Sequence, residues 1–234
     1  MAVNRDSNGY TFVFAIALVV VVGTILASLS LGLGPIKDKN AAKKKQMDLL
    51  SAIGIQASRA EATDLFEQYI PSEKSFVINN NGEVVEGEDA FNIDIKKQYR
   101  DKKIKKADRL YPVFQATNKE GKAVTICPVV GAGLWGPVWG YVAIGEDNET
   151  ISGVSFDHKT ETPGLGAEIK QDFFEVRWVG EKISTEIKVM KDGSGASEQK
   201  VDGITGGTIT SKGVEEMMNR TMAVYSKYFN QTKS

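Results

Sequence analysis

Asp202-Gly203-Ile204-Thr205-Gly206-Gly207-Thr208-Ile209-Thr210-Ser211 crowds hydroxyls and small residues against a helix that the apolar spacing predicts from Ser211 to about Phe229. Ser and Thr favour helix starts because their oxygens accept backbone N–H groups that have no intrahelical partner. Those N–H groups, with the positive end of the helix dipole, also favour a phosphate. Glycines at 203, 206 and 207 let the backbone come close to a bulky ligand. Thr208 is thus a hydroxyl presented where a phosphate is welcome. The spacing leaves two readings: a polar turn that caps a helix, or a phosphate site. A P-loop is excluded, since Gly-Lys-Ser/Thr is absent here and the lysine stands in Ser211-Lys212-Gly213.

Outward from this stretch, the last helix carries Val214, Met217, Met218, Val224, Tyr225 and Tyr228 as one apolar stripe, with the methionines as core filler. Upstream, alternating apolar residues predict three hairpins. The first joins Phe76–Ile78 to Val84–Val85 through Asn81-Gly82. The second joins Leu110–Thr117 to Ala123–Val130, and the third joins Val138–Gly145 to Thr150–Phe156. A short helix near Ile169–Phe174 and strands at Glu175–Val179 and Ile183–Met190 follow. Asn40–Ile70 reads as one or two helices broken near Gly54, and the lysines between Lys96 and Lys106 read as a solvated face. The fold class is α+β, an antiparallel sheet with helices packed against it.

Thr11–Leu33 is uncharged and as a helix reaches roughly 34 Å, enough to cross a hydrocarbon core of about 30 Å. A cleaved signal sequence has a shorter apolar region and an Ala-x-Ala site, which Ala27-Ser28-Leu29-Ser30 imitates weakly, so the segment reads as a retained anchor in membrane lipid. The expected organisation is a tail at 1–10, a transmembrane helix at 11–33, a helical linker at 34–70 and a body at 71–234. Arg5 precedes the span while Lys37, Lys39, Lys43, Lys44 and Lys45 follow it, which by charge alone places the body in the cytoplasm. Basic and acidic residues balance, 29 against 30, so no nucleic-acid partner is indicated. The single cysteine, Cys127, reads as a small core residue, no Cys/His cluster suggests a metal, and the lone His158 reads as a surface or strand-end residue.

Gly131-Ala132-Gly133-Leu134-Trp135-Gly136 satisfies the dinucleotide pattern G-x-G-x-x-G, but a strand rather than a helix follows it, so a Rossmann turn is rejected. Trp135 reads either as a core residue or as a partner for a flat ring. Glu161-Thr162-Pro163-Gly164-Leu165-Gly166 is a tight loop in which Glu161 reads as solvated.

Asp202, Thr205, Gly206, Gly207 and Thr208 resemble the flavinylation motif of FMN-binding domains, in which FMN is esterified through its phosphate to the last threonine. Thr205 and Gly207 stand where Ser and Ala are usual. With Gly133-Leu134-Trp135-Gly136 and His158 through Gly166, the chain resembles the C-subunit family of sodium-translocating NADH:quinone reductases. The G-subunit family of Rnf electron-transport complexes shares the flavinylation and Thr-Pro-Gly-Leu-Gly motifs. The resemblance implies an FMN-binding domain at 71–234 and covalent FMN on Thr208. It places Trp135, Glu161, Thr162 and Leu165 near the flavin, and Thr205, Gly206 and Thr210 around the attachment. It also implies a flavin transferase using FAD, partner subunits of a membrane respiratory complex, and a bacterial inner-membrane location with the body extracytoplasmic. The alternatives are the equivalent Rnf-type subunit and an anchored scaffold without cofactor.

Overall fold

The computed structural model describes residues 7–191, 193–194 and 197–232. It forms a helical unit ending at Lys44 and a body beginning at Lys45. Helix α1 (Asn8–Ala52) is long and apolar enough to cross a membrane. Its large apolar side chains from Tyr10 to Leu33 are exposed, as lipid-facing side chains would be. The helix continues without interruption past Leu33 and through Pro35. It ends where Gly54 takes a φ of +79°, the break expected there, and α2 (Ala62–Tyr69) follows. Leu49, Leu50, Phe66 and Ile70, within the segment read as a linker, are buried in the body.

The body is built on a sheet of order β2-β1-β3-β4-β5-β6, antiparallel throughout. Its strands are β1 (Ser75–Ile78), β2 (Val84–Val85), β3 (Tyr111–Thr117), β4 (Ala123–Ala132), β5 (Pro137–Ile144) and β6 (Ile151–His158). A short helix, α3 (Ile95–Arg100), crosses between β2 and β3. The three expected hairpins are all present. Residues of opposite parity enter different cores, which is why these strands read as continuous apolar runs. Val124, Ile126, Tyr141 and Ala143 pack with the end of α1 and with α2. Cys127, Val129, Val138 and Val142 pack with α5 (Thr208–Thr232) on the other face. Cys127 is fully buried, and burial holds its thiol well above the usual range.

Between β3 and β4 the pairing ends at Phe114 and Ile126, short of Pro112 and Pro128. Neither proline can donate to a ladder. The Tyr225 hydroxyl of α5 fills the gap, sharing its proton between the carbonyl oxygens of Pro112 (2.9 Å) and Pro128 (3.1 Å).

Three expectations need correction. Glu175–Val179 is not a strand: α4 (Asp172–Glu175) runs into a 3-10 turn at Val176–Trp178. Phe174 and Trp178, four apart, share one side of that turn and meet Phe156 edge-on or tilted at 6.0 and 5.8 Å. Of Ile183–Met190 only β7 (Lys188–Met190) is extended. It pairs in parallel with β8 (Lys200–Asp202), a strand with no sequence signal beyond the buried Val201. Finally, the last helix starts at Thr208 rather than Ser211. The Ser211 N–H already bonds to the Gly207 carbonyl (2.9 Å), while the Ser211 hydroxyl accepts from the Ile204 N–H (3.0 Å). That hydroxyl fastens the preceding loop instead of capping the helix.

Candidate functional site

Two glycines decide where α5 begins relative to the sheet. A Cβ on Gly213 would lie 2.1 Å from the Ala132 carbonyl oxygen, and one on Gly131 would lie 2.7 Å from the Met217 Cβ. The helix therefore rests directly on the end of β4, which brings its first turn beside the β4–β5 connection. Gly131, part of the rejected dinucleotide pattern, serves this contact. The connection is a tight turn closed by the Gly133 N–H to the Gly136 carbonyl at 2.8 Å.

A second loop enters from the end of β6. The Thr162 carbonyl accepts from the N–H groups of both Leu165 and Ala167, each at 3.1 Å, and Gly164 takes a φ of +75°. The third segment is 202–208, entered from β8. Arg177 Nη1 donates to the carbonyls of Asp202 (2.9 Å) and Gly203 (2.8 Å), which anchors the chain ahead of the helix. Gly206 then turns with a φ of +74°, where a Cβ would stand 2.5 Å from Leu165 Cδ2.

The structure brings all the sequence-predicted site residues to this one end of the body. Thr208 is exposed as the first residue of α5, and the first N–H groups of that helix have no intrahelical acceptor. Trp135 is 66 % exposed, so the core reading of this residue fails. Thr162, Leu165, Thr205 and Gly206 are also exposed. Leu134 and Ile209 join Trp135 and Leu165 as exposed large apolar side chains, a cluster whose only sequence signal was its place in the motifs. Glu161 and Thr210 lie beneath, 5 % and 1 % exposed. The expectation of a solvated Glu161 is overturned. Its Oε1 accepts from the Trp135 N–H (2.8 Å) and its Oε2 from the Thr210 hydroxyl (2.6 Å). His158 sits at the end of β6, its Nδ1 accepting from the Glu161 N–H at 3.2 Å.

Beside Thr208 lies a small cavity of about 110 Å³, lined in part by Ile204, Ser211 and Lys212. A lysine, a helix start and hydroxyls suit a phosphate. The exposed apolar cluster suits a flat aromatic ring. The residues present thus fit FMN, with phosphate near the helix start and ring outside.

An α+β body bearing such a surface is an FMN-binding domain, and the FMN-binding domain family model matches residues 133–223. The chain belongs to the C-subunit family of the Na(+)-translocating NADH-quinone reductase. It is 33% identical to that subunit from Vibrio parahaemolyticus, over 92% of this chain and 90% of the relative. It is 30% identical to the corresponding subunit from Neisseria meningitidis serogroup A, over 99% and 96%. The crystal structure of the same subunit from Parabacteroides distasonis superposes with a TM-score of 0.74 at 39% identity, covering 84% of this chain and 96% of that one. Shewanella oneidensis NqrC superposes with a TM-score of 0.69 at 25% identity, covering 82% and 97%. These matches favour the sodium-pump reading over an Rnf-type subunit and over a scaffold without cofactor.

Proposed function

We propose that Thr208 carries FMN as a phosphoester, in a chain that serves as the membrane-anchored FMN subunit of a sodium-translocating NADH:quinone oxidoreductase. An exposed hydroxyl carries this reading: Thr208 is the first residue of α5, where unpaired helix N–H groups suit a phosphate, and it lies within the stretch 133–223 that matches the FMN-binding domain family. A tether there would make binding of the flavin intramolecular.

The chain's own residues then have distinct tasks. Thr208 is the attachment point, and Thr205 and Gly206 shape the loop around it. The helix start stabilises the remaining negative charge of the ester by about 0.3–1 kcal/mol. Trp135, Thr162 and Leu165, exposed beside this start, would contact the ring and keep water from it. FMN supplies the electron-transfer chemistry when bound. A flavin transferase with FAD as donor would load the flavin, with the bond from Thr208 Oγ to phosphorus replacing the pyrophosphate bond of FAD, AMP as leaving group and the hydroxyl proton lost to solvent.

The test is intact mass spectrometry of the natively produced chain. Wild type gains the mass of FMN less one water, whereas Thr208→Ala gains none and gives no fluorescent band on a denaturing gel. A wild-type chain without added mass overturns the reading. The body is proposed to be extracytoplasmic, against the charge count of the flanks. External protease on spheroplasts, from which the outer membrane barrier has been removed, should digest it, and protection there would reverse the assignment.

A further inference from the structure

Glu161 is the point on which the three motifs converge. It follows β6, its Oε1 holds the Trp135 N–H in the β4–β5 turn, and its Oε2 holds Thr210 in the first turn of α5. Its own N–H is held by His158 Nδ1. Two glycines form the seat of the carboxylate. A Cβ on Gly133 would stand 2.6 Å from Oε1, and one on Gly166 would stand 2.5 Å from both Oε2 and Thr210 Oγ1. Those glycines therefore make room for a buried acid. Both carboxyl oxygens accept hydrogen bonds, one from each of the two elements. Among the described residues no cation pairs with it.

We propose that Glu161 is the positioning residue of this site, fixing the Trp135 turn and the start of α5 in one register and holding a negative charge beneath them. This role rests on the flavin reading for its redox consequence, but not for its geometry. Without Glu161 the turn and the helix start lose their common acceptor, and Trp135 no longer has a fixed place relative to Thr208. The charge has a second effect. A fixed anion opposes the addition of an electron nearby, so it lowers the reduction potential of a group held above it.

The experiment uses the full chain in two states, with Glu161→Ala and Glu161→Gln beside wild type. In chain produced without a flavin transferase, amide hydrogen exchange at Trp135 reads the geometry directly. Glu161→Ala should accelerate it by about 10- to 100-fold, the loss of a hydrogen bond to a charged group. Glu161→Gln should leave it protected, since the amide still offers an acceptor to Trp135 and a donor to Thr210. In chain loaded with FMN, Glu161→Gln should raise the midpoint potential at unchanged Trp135 protection. Unchanged Trp135 exchange in Glu161→Ala overturns the positioning role, and an unshifted or lowered potential in Glu161→Gln overturns the role of the charge. Should Glu161→Ala not fold, Glu161→Asp decides instead, since its shorter side chain cannot reach Trp135 and Thr210 together: unchanged Trp135 exchange there overturns the positioning role. A wild type that takes no FMN would sink the flavin reading while leaving the exchange result standing.

Discussion

Two glutamates lie against β6 and differ in what surrounds them. Glu161 has a donor on each oxygen and a seat made by two glycines. Glu175 receives one hydrogen bond, from the Phe156 N–H at 2.6 Å. It lines a cavity of about 250 Å³ at the end of α1, with Asp172 and Glu120. Burial, joined by the nearby charges of Asp172, Asp48 and Asp157, raises its carboxyl to about 7 against the pull of the Phe156 N–H. Glu161 is buried and Glu175 half-buried, and exposure alone does not decide what either acid does. The donors aimed at it, and the charges around it, decide whether it holds structure together or becomes sensitive to protons.

The contrast can be broken most severely at Gly213. A methyl there meets the Ala132 carbonyl, and neither backbone can yield easily. Gly213→Ala should cost about 3 kcal/mol in chemical denaturation, with the start of α5 displaced and FMN attachment sharply reduced. Next comes Gly166→Ala, which crowds the Glu161 seat itself. A loss of about 2 kcal/mol is expected, with Trp135 amide protection lowered, and an unchanged melting curve would show that the seat is not tight.

Tyr225→Phe probes a buried hydroxyl that neither glutamate touches. It removes the donor shared by the Pro112 and Pro128 carbonyls and should cost about 1.5 kcal/mol with FMN attachment intact. The smallest effect belongs to Glu175. Its native carboxyl keeps a proton up to about pH 7, while the unfolded side chain releases it near the ordinary value of 4.5. The native state thus binds more protons in that window, and stability falls as pH rises through it. Thermal unfolding across the window should show a shallower decline for Glu175→Gln than for wild type. Equal slopes would assign the effect elsewhere.

Periodicity made the three hairpins and the final helix legible, because each strand repeats every second residue and the helix stripe every third or fourth. It misread Glu175–Val179, where Phe174 and Trp178 enter the core from a turn instead of a strand. It missed β8, a three-residue strand too short to show an alternating pattern, with Val201 as its one buried side chain. Trp135 shows the same limit at the site. An indole in a glycine-rich turn gives no local sign of whether it faces in or out.

The sequence by itself determined that a threonine hydroxyl would stand at a helix start among small residues, that an apolar helix precedes the body, and that a sheet supports it. These are local properties, set by propensity, spacing and the lack of a Cβ. Only the tertiary structure decided that Glu161 is buried, that Gly133 and Gly166 make its seat, and that Gly131 and Gly213 let α5 rest on β4. Those facts arise from atoms brought within a few ångströms by folding, and such proximity leaves no periodic trace along the chain.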